Sequence, residues 1–277
     1  MNDVRLGFES AVISLSGGMD STSLLLHLLA RECRIHAVSF DYGQKHRLEL
    51  ERLQRSLDLL DQRGLPVSWH CIDLTSLAPL LHSALTDRSW EVPTGHYEQE
   101  NMRETVVPNR NAIFASIAYA HALSVALRAD SVCGLALGVH RGDHVIYPDC
   151  RPEFYDRLSE AFAVGNWDAD RVTWYLPYLD WDKAAILRDA QMSCSQLDLE
   201  FETIFRNTCT SYQPDSSGRS PGLTGSDVER ILAFHQLGIR DPLEYALPWE
   251  QTVEQALRLE AEFRNESVPL ESDLPGA

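Results

Sequence analysis

The chain has 277 residues, 44% hydrophobic and 23% charged, which is enough apolar material for a substantial core and is neither a disordered nor a fibrous composition. A formal net charge of −17 argues against a broad nucleic-acid surface, because phosphate contacts need clustered Lys and Arg. No uninterrupted apolar run approaches a membrane span, and Met1-Asn-Asp-Val-Arg5 has no signal-peptide core, so a soluble cytoplasmic protein is expected.

Residues 11–26 are an apolar run that breaks into glycines and restarts as a leucine-rich segment, which predicts strand, anion-binding loop and helix. Gly17 and Gly18 lack a Cβ, so the turn can take positive φ and close its N–H groups on an anion. Ser16, Ser21 and Thr22 add hydroxyls, and the following helix aims unpaired N–H groups into the same pocket. Asp20 is the odd member, since a carboxylate repels phosphate unless a metal such as Mg²⁺ bridges them. The plain alternative is a tight turn in which Ser21 or Asp20 caps the helix. Ser16-Gly-Gly-Met-Asp-Ser21 behind a hydrophobic strand nevertheless resembles the phosphate loop of the PP-loop ATP pyrophosphatases, and no Gly-Lys-Ser/Thr of the Walker type is present. That resemblance implies a Rossmann-like α/β core and cleavage of ATP between its α and β phosphates to adenylate a substrate.

Leu24, Leu25, Leu28 and Leu29 recur at helical spacing, so one face of residues 23–31 packs on a sheet. A second strand over 34–40 ends in Asp41-Tyr-Gly-Gln-Lys-His46. Residues just past strand C-termini line the crevice of an open parallel sheet, which points Asp41, Tyr42 and Gln44 at the first loop. An ordinary turn capped by Asp41 is the alternative. A polar helix over 46–63 and a third strand over 66–74 follow, and this alternation predicts a doubly wound parallel sheet. Residues 75–104 are irregular, and so long a loop is usually functional or mobile, which leaves a lid over the site open.

Pro108 keeps Val107 out of a helix, and Asn109 or Asn111 can cap the apolar helix expected over 112–127. Arg110 at that helix start opposes the dipole unless an anion is close. A buried strand over 131–138 ends at Gly138, where a ligand can approach the backbone. The densest polar cluster follows, with His140, Arg141, Asp143, His144, Tyr147, Asp149, Cys150 and Arg151. His140, Asp143 and His144 have metal-ligand spacing but no fourth ligand, and a salt-bridge network accounts for them as well. Cys150 has no evident base partner that would make it a nucleophile. The tyrosine and the acids suit a pocket that grips a polar ring.

A strand over 171–177 precedes a helix with Lys183 in its first turn, a place that suits a phosphate or leaving pyrophosphate. Turn-rich residues 205–225, a capped helix over 226–236 and a helical region over 242–264 complete the chain. Residues 1–205 are expected to form the α/β core, and 206–277 a loop and helical extension packed on it. The six cysteines, Cys33, Cys71, Cys133, Cys150, Cys194 and Cys209, include no pair at zinc-finger spacing. Cys71 and Cys133 fall in expected strands, where a buried thiol acts as a small hydrophobe.

Taken in order from Ile13 to Tyr245, these motifs resemble the 7-cyano-7-deazaguanine synthases, PP-loop enzymes of queuosine precursor synthesis. The resemblance rests on the first loop, on Phe40-Asp-Tyr-Gly-Gln44 with His46 and Glu49, and on Val107-Pro-Asn-Arg-Asn111. Asp143 with Tyr147-Pro-Asp-Cys-Arg151 and Phe154, and Lys183, extend it. It implies that ATP activates the carboxylate of 7-carboxy-7-deazaguanine, that ammonia attacks to give an amide, and that further ATP dehydrates the amide to a nitrile. It further implies ATP contacts from Ser14, Leu15, Ser16, Gly17, Gly18, Met19, Asp20, Ser21, Thr22, Phe40, Gln44 and Gly138, with Mg²⁺ at Asp20. Arg110, Lys183 and Asp20 would be catalytic, and Asn111, Asp143, Tyr147, Asp149 and Arg151 would hold the deazapurine.

One departure from that family is large. Its structural zinc uses a Cys before a Tyr and a Cys-Gly-x-Cys-x-x-Cys run, whereas Ser211, Pro221, Thr224 and Asp227 stand at the four positions here. Cys209 lies two residues from the first, while Arg230 and Phe234 keep the helix register. No zinc is expected, and packing would hold the loop. Changed chemistry is therefore open: QueC-like paralogues occur in bacterial antiphage systems, where a protein amine could replace ammonia as acceptor. A catalytically silent nucleotide-binding scaffold or sensor is one alternative, and a tRNA-modifying PP-loop enzyme, disfavoured by the acidic balance, is another. A homodimer stays open.

Overall fold

The computed structural model describes residues 6–43, 48–87, 89–91, 93–144, 146–208 and 219–266. Strands β1 (Ser10–Ser14), β2 (Arg34–Asp41), β3 (Ser68–Asp73), β4 (Cys133–Ala136) and β5 (Val172–Tyr175) form one sheet in the order β3-β2-β1-β4-β5. All pairings are parallel, with Ile13 opposite Ala37 on β2 and opposite Ala136 on β4. The chain builds outward from β1 to β3, then crosses back to lay β4 on the other side of β1. That reversal opens a crevice at the carboxyl ends of β1 and β4.

Alternation along β1 sends Ala11 and Ile13 to one core and Val12 to the other. The first core is covered by α1 (Met19–Leu29), α2 (Leu48–Gln62), α5 (Lys183–Gln196) and α6 (Phe201–Arg206), through residues such as Leu24, Leu53, Ile186 and Phe205. The second is covered by α3 (Arg110–Ala129) and α4 (Pro152–Gly165). Ala115, Ala118, Tyr119, Ala122, Val125 and Ala126 share one face of α3 at helical spacing, and the alanines let the helix lie close to the sheet. Doubly wound α/β architecture is thus what the alternation predicted.

Several local expectations differ. α3 starts at Arg110; Asn109 before it is left-handed, with φ +57, and no side chain caps the helix. By length and composition α3 is long and apolar enough to cross a membrane. A count of uninterrupted apolar residues misses this, because Asn111, Ser116 and His121 break the run. Cys71 is exposed, on a strand that borders only β2. Residues 75–80 and 100–105 form short 3₁₀ turns within the irregular stretch. In the C-terminal region α7 (Gly225–Gln236) adds Ala233 and Phe234 to the first core, and α8 (Trp249–Glu266) packs Val253 and Ala256 against Val228 and Ile231.

Candidate active site

At the carboxyl ends of β1 and β4 lies a cavity of about 310 Å³. Its floor is the loop between β1 and α1. Gly17 turns with φ +85, and a Cβ there would stand 3.1 Å from the Glu49 carbonyl oxygen and 3.2 Å from the Leu53 Cβ. Both the backbone conformation and the approach of α2 therefore require glycine. Gly18 is the N-cap of α1 without a side-chain cap, so neither Ser21 nor Asp20 plays the capping part. Instead the Ser16 N–H donates to the Ser21 Oγ at 3.2 Å, and the Gly18 N–H donates to the Ser16 Oγ at 3.2 Å. The hydroxyls fold inward and set the loop's shape.

Asp20 and Lys183 meet across the cavity. Lys183 Nζ lies 2.9 Å from Asp20 Oδ2 and 3.0 Å from Glu229 Oε2. These two carboxylates are the anions that the cation at the start of α5 needs, while Asp182 caps the helix by accepting from the Ala185 N–H at 2.7 Å. Burial would depress the lysine, but Asp20 and Glu229 more than reverse this and hold its pKa above the ordinary range. For Asp20, burial pushes upward and is overcome by Lys183 and His140, leaving the carboxyl below its usual value. Burial keeps Glu229 raised despite Lys183 and His140. Asp20 Oδ1 is buried without a hydrogen-bond partner. Such an orphaned acceptor beside a glycine turn that leads into a helix N-terminus fits a cation arriving with a phosphate.

His140 is 1% exposed and sits among these acids, with Nε2 3.3 Å from Asp143 Oδ2 and 3.7 Å from Asp20 Oδ2. Its Nδ1 accepts from the Gly142 N–H at 3.0 Å, which assigns the neutral ring's proton to Nε2. On the opposite wall Phe40 stacks on Phe114 at 4.1 Å and Tyr42 leans on the same ring. Arg110 faces Tyr42 and Glu49 there, lowering the pKa of both against the dominant effect of burial. The Asn111 side chain donates to Cys150 Sγ at 3.2 Å, and the Tyr147 hydroxyl lies 2.6 Å from Thr105 Oγ1. Burial pushes the Cys150 thiol far above its ordinary value, which removes it as a nucleophile at neutral pH.

Of the residues expected from sequence, Ser14, Leu15, Ser16, Gly18, Met19, Asp20, Ser21, Phe40, Arg110, Asn111, Gly138, Asp143, Tyr147 and Lys183 line this one cavity. Gly17 faces α2 instead, and Thr22 is buried behind the loop. Asp149 is not in the lining; its Oδ2 accepts from the Asn111 N–H at 3.4 Å at the start of α3. Arg151 also turns away, donating through Nε to the His144 carbonyl at 2.8 Å on the exposed side. Gln44 lies outside the described residues. Glu229, Tyr97 and Tyr155 line the cavity without having been singled out. Glu229 had no signal in the chain, because only the packing of α7 brings it to Lys183. Pro93, Tyr97 and Met102 reach the cavity from the irregular stretch, which docks on the C-terminal region through the Thr94–Thr224 bridge and the Gly95 N–H to Leu223 carbonyl bond of 2.9 Å.

Pro221, Thr224 and Asp227, the described positions among those where the resembled family carries zinc, do not fit that metal. Thr224 Oγ1 donates to Asp227 Oδ2 at 2.7 Å, and Ser220 Oγ donates to Asp227 Oδ1 at 2.7 Å. Both carboxylate oxygens are thereby used, and Pro221 offers no side-chain ligand. Ser211 and Cys209 lie outside the described residues. Hydrogen bonds, rather than packing alone, hold residues 220–227. Among the described residues no group of three or more His, Cys, Asp or Glu side chains is arranged to hold a metal, and this covers His140, Asp143 and His144.

Residues 10–238 match the family described as queuosine biosynthesis protein QueC. A protein of Caldicellulosiruptor saccharolyticus named 7-cyano-7-deazaguanine synthase is 38% identical over 87% of this chain and 98% of its own length. One of the same name from Agrobacterium fabrum is 42% identical over 86% of this chain and 92% of its own. A solved 4-thiouridine synthetase–RNA complex with bound ATP covers 92% of this chain and 53% of that one at 20% identity, with a TM-score of 0.41, too loose a likeness to carry detail. On the family match and the identity to these relatives, the chain belongs to the QueC family.

Proposed function

We propose that this protein is an ATP-dependent ligase that adenylates a 7-carboxy-7-deazaguanine-type carboxylate and passes the acyl group to a nitrogen nucleophile. The observation that carries this reading is the convergence on one cavity of the loop around Ser16, the orphaned Asp20 oxygen and the cations Arg110 and Lys183. The names of the relatives support the deazaguanine substrate.

In this reading, loop hydroxyls and N–H groups hold the phosphate chain. A substrate carboxylate oxygen attacks the α-phosphorus and pyrophosphate departs, its charge stabilised by Lys183 and Arg110. Asn111, Asp143 and Tyr147 orient the ring so that the acyl-adenylate meets the incoming nitrogen at a fixed place. The nitrogen attacks and AMP leaves. Mg²⁺ arriving with ATP fits Asp20 and would neutralise phosphate charge there. The acceptor is either ammonia, giving an amide and then the nitrile, or an amine of a protein partner.

Mass spectrometry of products from protein, ATP, Mg²⁺, 7-carboxy-7-deazaguanine and ammonia tests the reading, beside a reaction in which candidate protein partners replace ammonia. Nitrile or amide with AMP is expected from the first, and a protein-linked deazaguanine in the second would assign the other acceptor. Asp20→Asn should lower AMP formation by about a hundredfold or more. No ATP consumption in either reaction would overturn the ligase in favour of a nucleotide-binding scaffold.

A further inference from the structure

The ATP chemistry above leaves two carboxylates of the cavity, Glu49 and Glu229, without a task, and of the two it is Glu229 that stands beside Lys183. Glu229 comes from α7 in the C-terminal region, and its side chain is 13% exposed. One oxygen, Oε2, lies 3.0 Å from Lys183 Nζ; the other, Oε1, turns away to stand 3.8 Å from His140 Nδ1, beyond hydrogen-bonding distance. Space for Oε1 depends on Gly142, because a Cβ there would fall 2.1 Å from it. The acids Asp20, Asp143 and Glu229 surround a single lysine and an imidazole whose Nδ1 is an acceptor. When a Mg²⁺-bound phosphate chain takes up Asp20, the negative charge left at Glu229 and Asp143 favours a small cation beside them.

We propose that Glu229 is the general base of the second half-reaction, taking the proton from the attacking amine. The proposal rests on the adenylating reading above. Ammonia and primary amines reach the site mainly as cations at neutral pH; the cation has no lone pair and must give up one proton before it attacks, and the nitrogen sheds a second on becoming the amide. In the balanced step the nitrogen forms a bond to the acyl carbon and the bond from that carbon to the adenylate oxygen breaks. AMP leaves with that electron pair; the proton that the ammonium form must lose before attack passes to Glu229 Oε1, and the second proton, lost as the amide forms, goes to the departing phosphate. Burial of Glu229, which raises its pKa, makes its carboxylate a stronger base than an exposed one.

The test is Glu229→Gln, which keeps the shape and an acceptor for Lys183. Carboxylate-dependent exchange of labelled pyrophosphate into ATP reads adenylation, and amide formation reads the second step. With ammonia at neutral pH, the loss in amide formation should exceed any loss in exchange by about tenfold or more. The variant's amide rate should recover as pH rises and free ammonia becomes abundant. Hydroxylamine, largely unprotonated at neutral pH, should close most of the gap between variant and wild type. Parallel loss of exchange and amide formation would make Glu229 a holder of Lys183 and overturn the proposal, as would an equal deficit with hydroxylamine. Absence of exchange in the wild-type protein would instead sink the adenylating reading, and the base assignment with it.

Discussion

Glu49 is half-buried near the start of α2, and its carboxyl is pushed up to about 8, chiefly by burial, with Arg110 pulling the other way. The unfolded chain would titrate it near 4.5, so the folded protein holds an extra proton between those values. Its contribution to stability is full below the unfolded pKa and is lost as pH rises through 8. Glu49→Gln keeps the neutral form's shape and should gain on wild type as pH rises. By pH ~9 the gain should be on the order of 1–2 kcal/mol once partial exposure is discounted. Thermal melts of both proteins across that range check this; a difference independent of pH would refute it. At this scale Asp20, Arg110 and Lys183 were legible because each opposes its local backbone field or breaks a simple phosphate loop. Glu229 opposes nothing local, so only the tertiary structure could pick it out.

The N-terminus of α7 carries a reciprocal cap in which Asp227 N–H donates to Thr224 Oγ1 at 3.4 Å and Thr224 N–H donates to Asp227 Oδ2 at 3.2 Å. Ser220 joins the same carboxylate, and the Gly222 N–H donates to Ser220 Oγ at 3.0 Å. A Cβ on Gly225 would lie 2.9 Å from the Tyr97 Cα, so the irregular stretch is seated directly on this helix start. Thr224→Ala should cost about 1–2 kcal/mol in denaturant unfolding. Chelation should leave the melting temperature unchanged, since these hydrogen bonds occupy the groups a zinc would need. A fall in Tm with EDTA would contradict that account. The elements themselves were readable from apolar periodicity, as α1 and the faces of β1 show. Boundaries were less so: Asn109 takes a left-handed conformation and lets α3 begin at Arg110, a choice no propensity dictates.

The whole molecule depends on how the C-terminal region is fastened to the sheet layer. Arg230 and Asp241 are both fully buried, with Nε 2.6 Å from Oδ2 and Nη2 2.9 Å from Oδ1. The same guanidinium donates to Thr208 Oγ1 at 2.6 Å and the Phe205 carbonyl at 3.3 Å, joining the end of α6 to α7. Sequence alone places a core over 1–205 and an extension beyond it; it cannot show that Arg230 ties the two together one residue after Glu229. Arg230→Met should destabilise by about 3–5 kcal/mol, because Asp241 is left buried without its cation. Adding Asp241→Leu removes that buried charge but leaves the Leu243 N–H and the Tyr245 hydroxyl without their acceptor, so it should return only part of the stability. Denaturant unfolding of the two single variants and the double variant gives the coupling, and simple additivity would refute it. Because the hydrogen bonds to Thr208 and Phe205 vanish in the double variant too, α7 loses its register even where stability returns. Amide formation should then stay impaired in a well-folded protein, which separates the pair's role in stability from its role in placing Glu229.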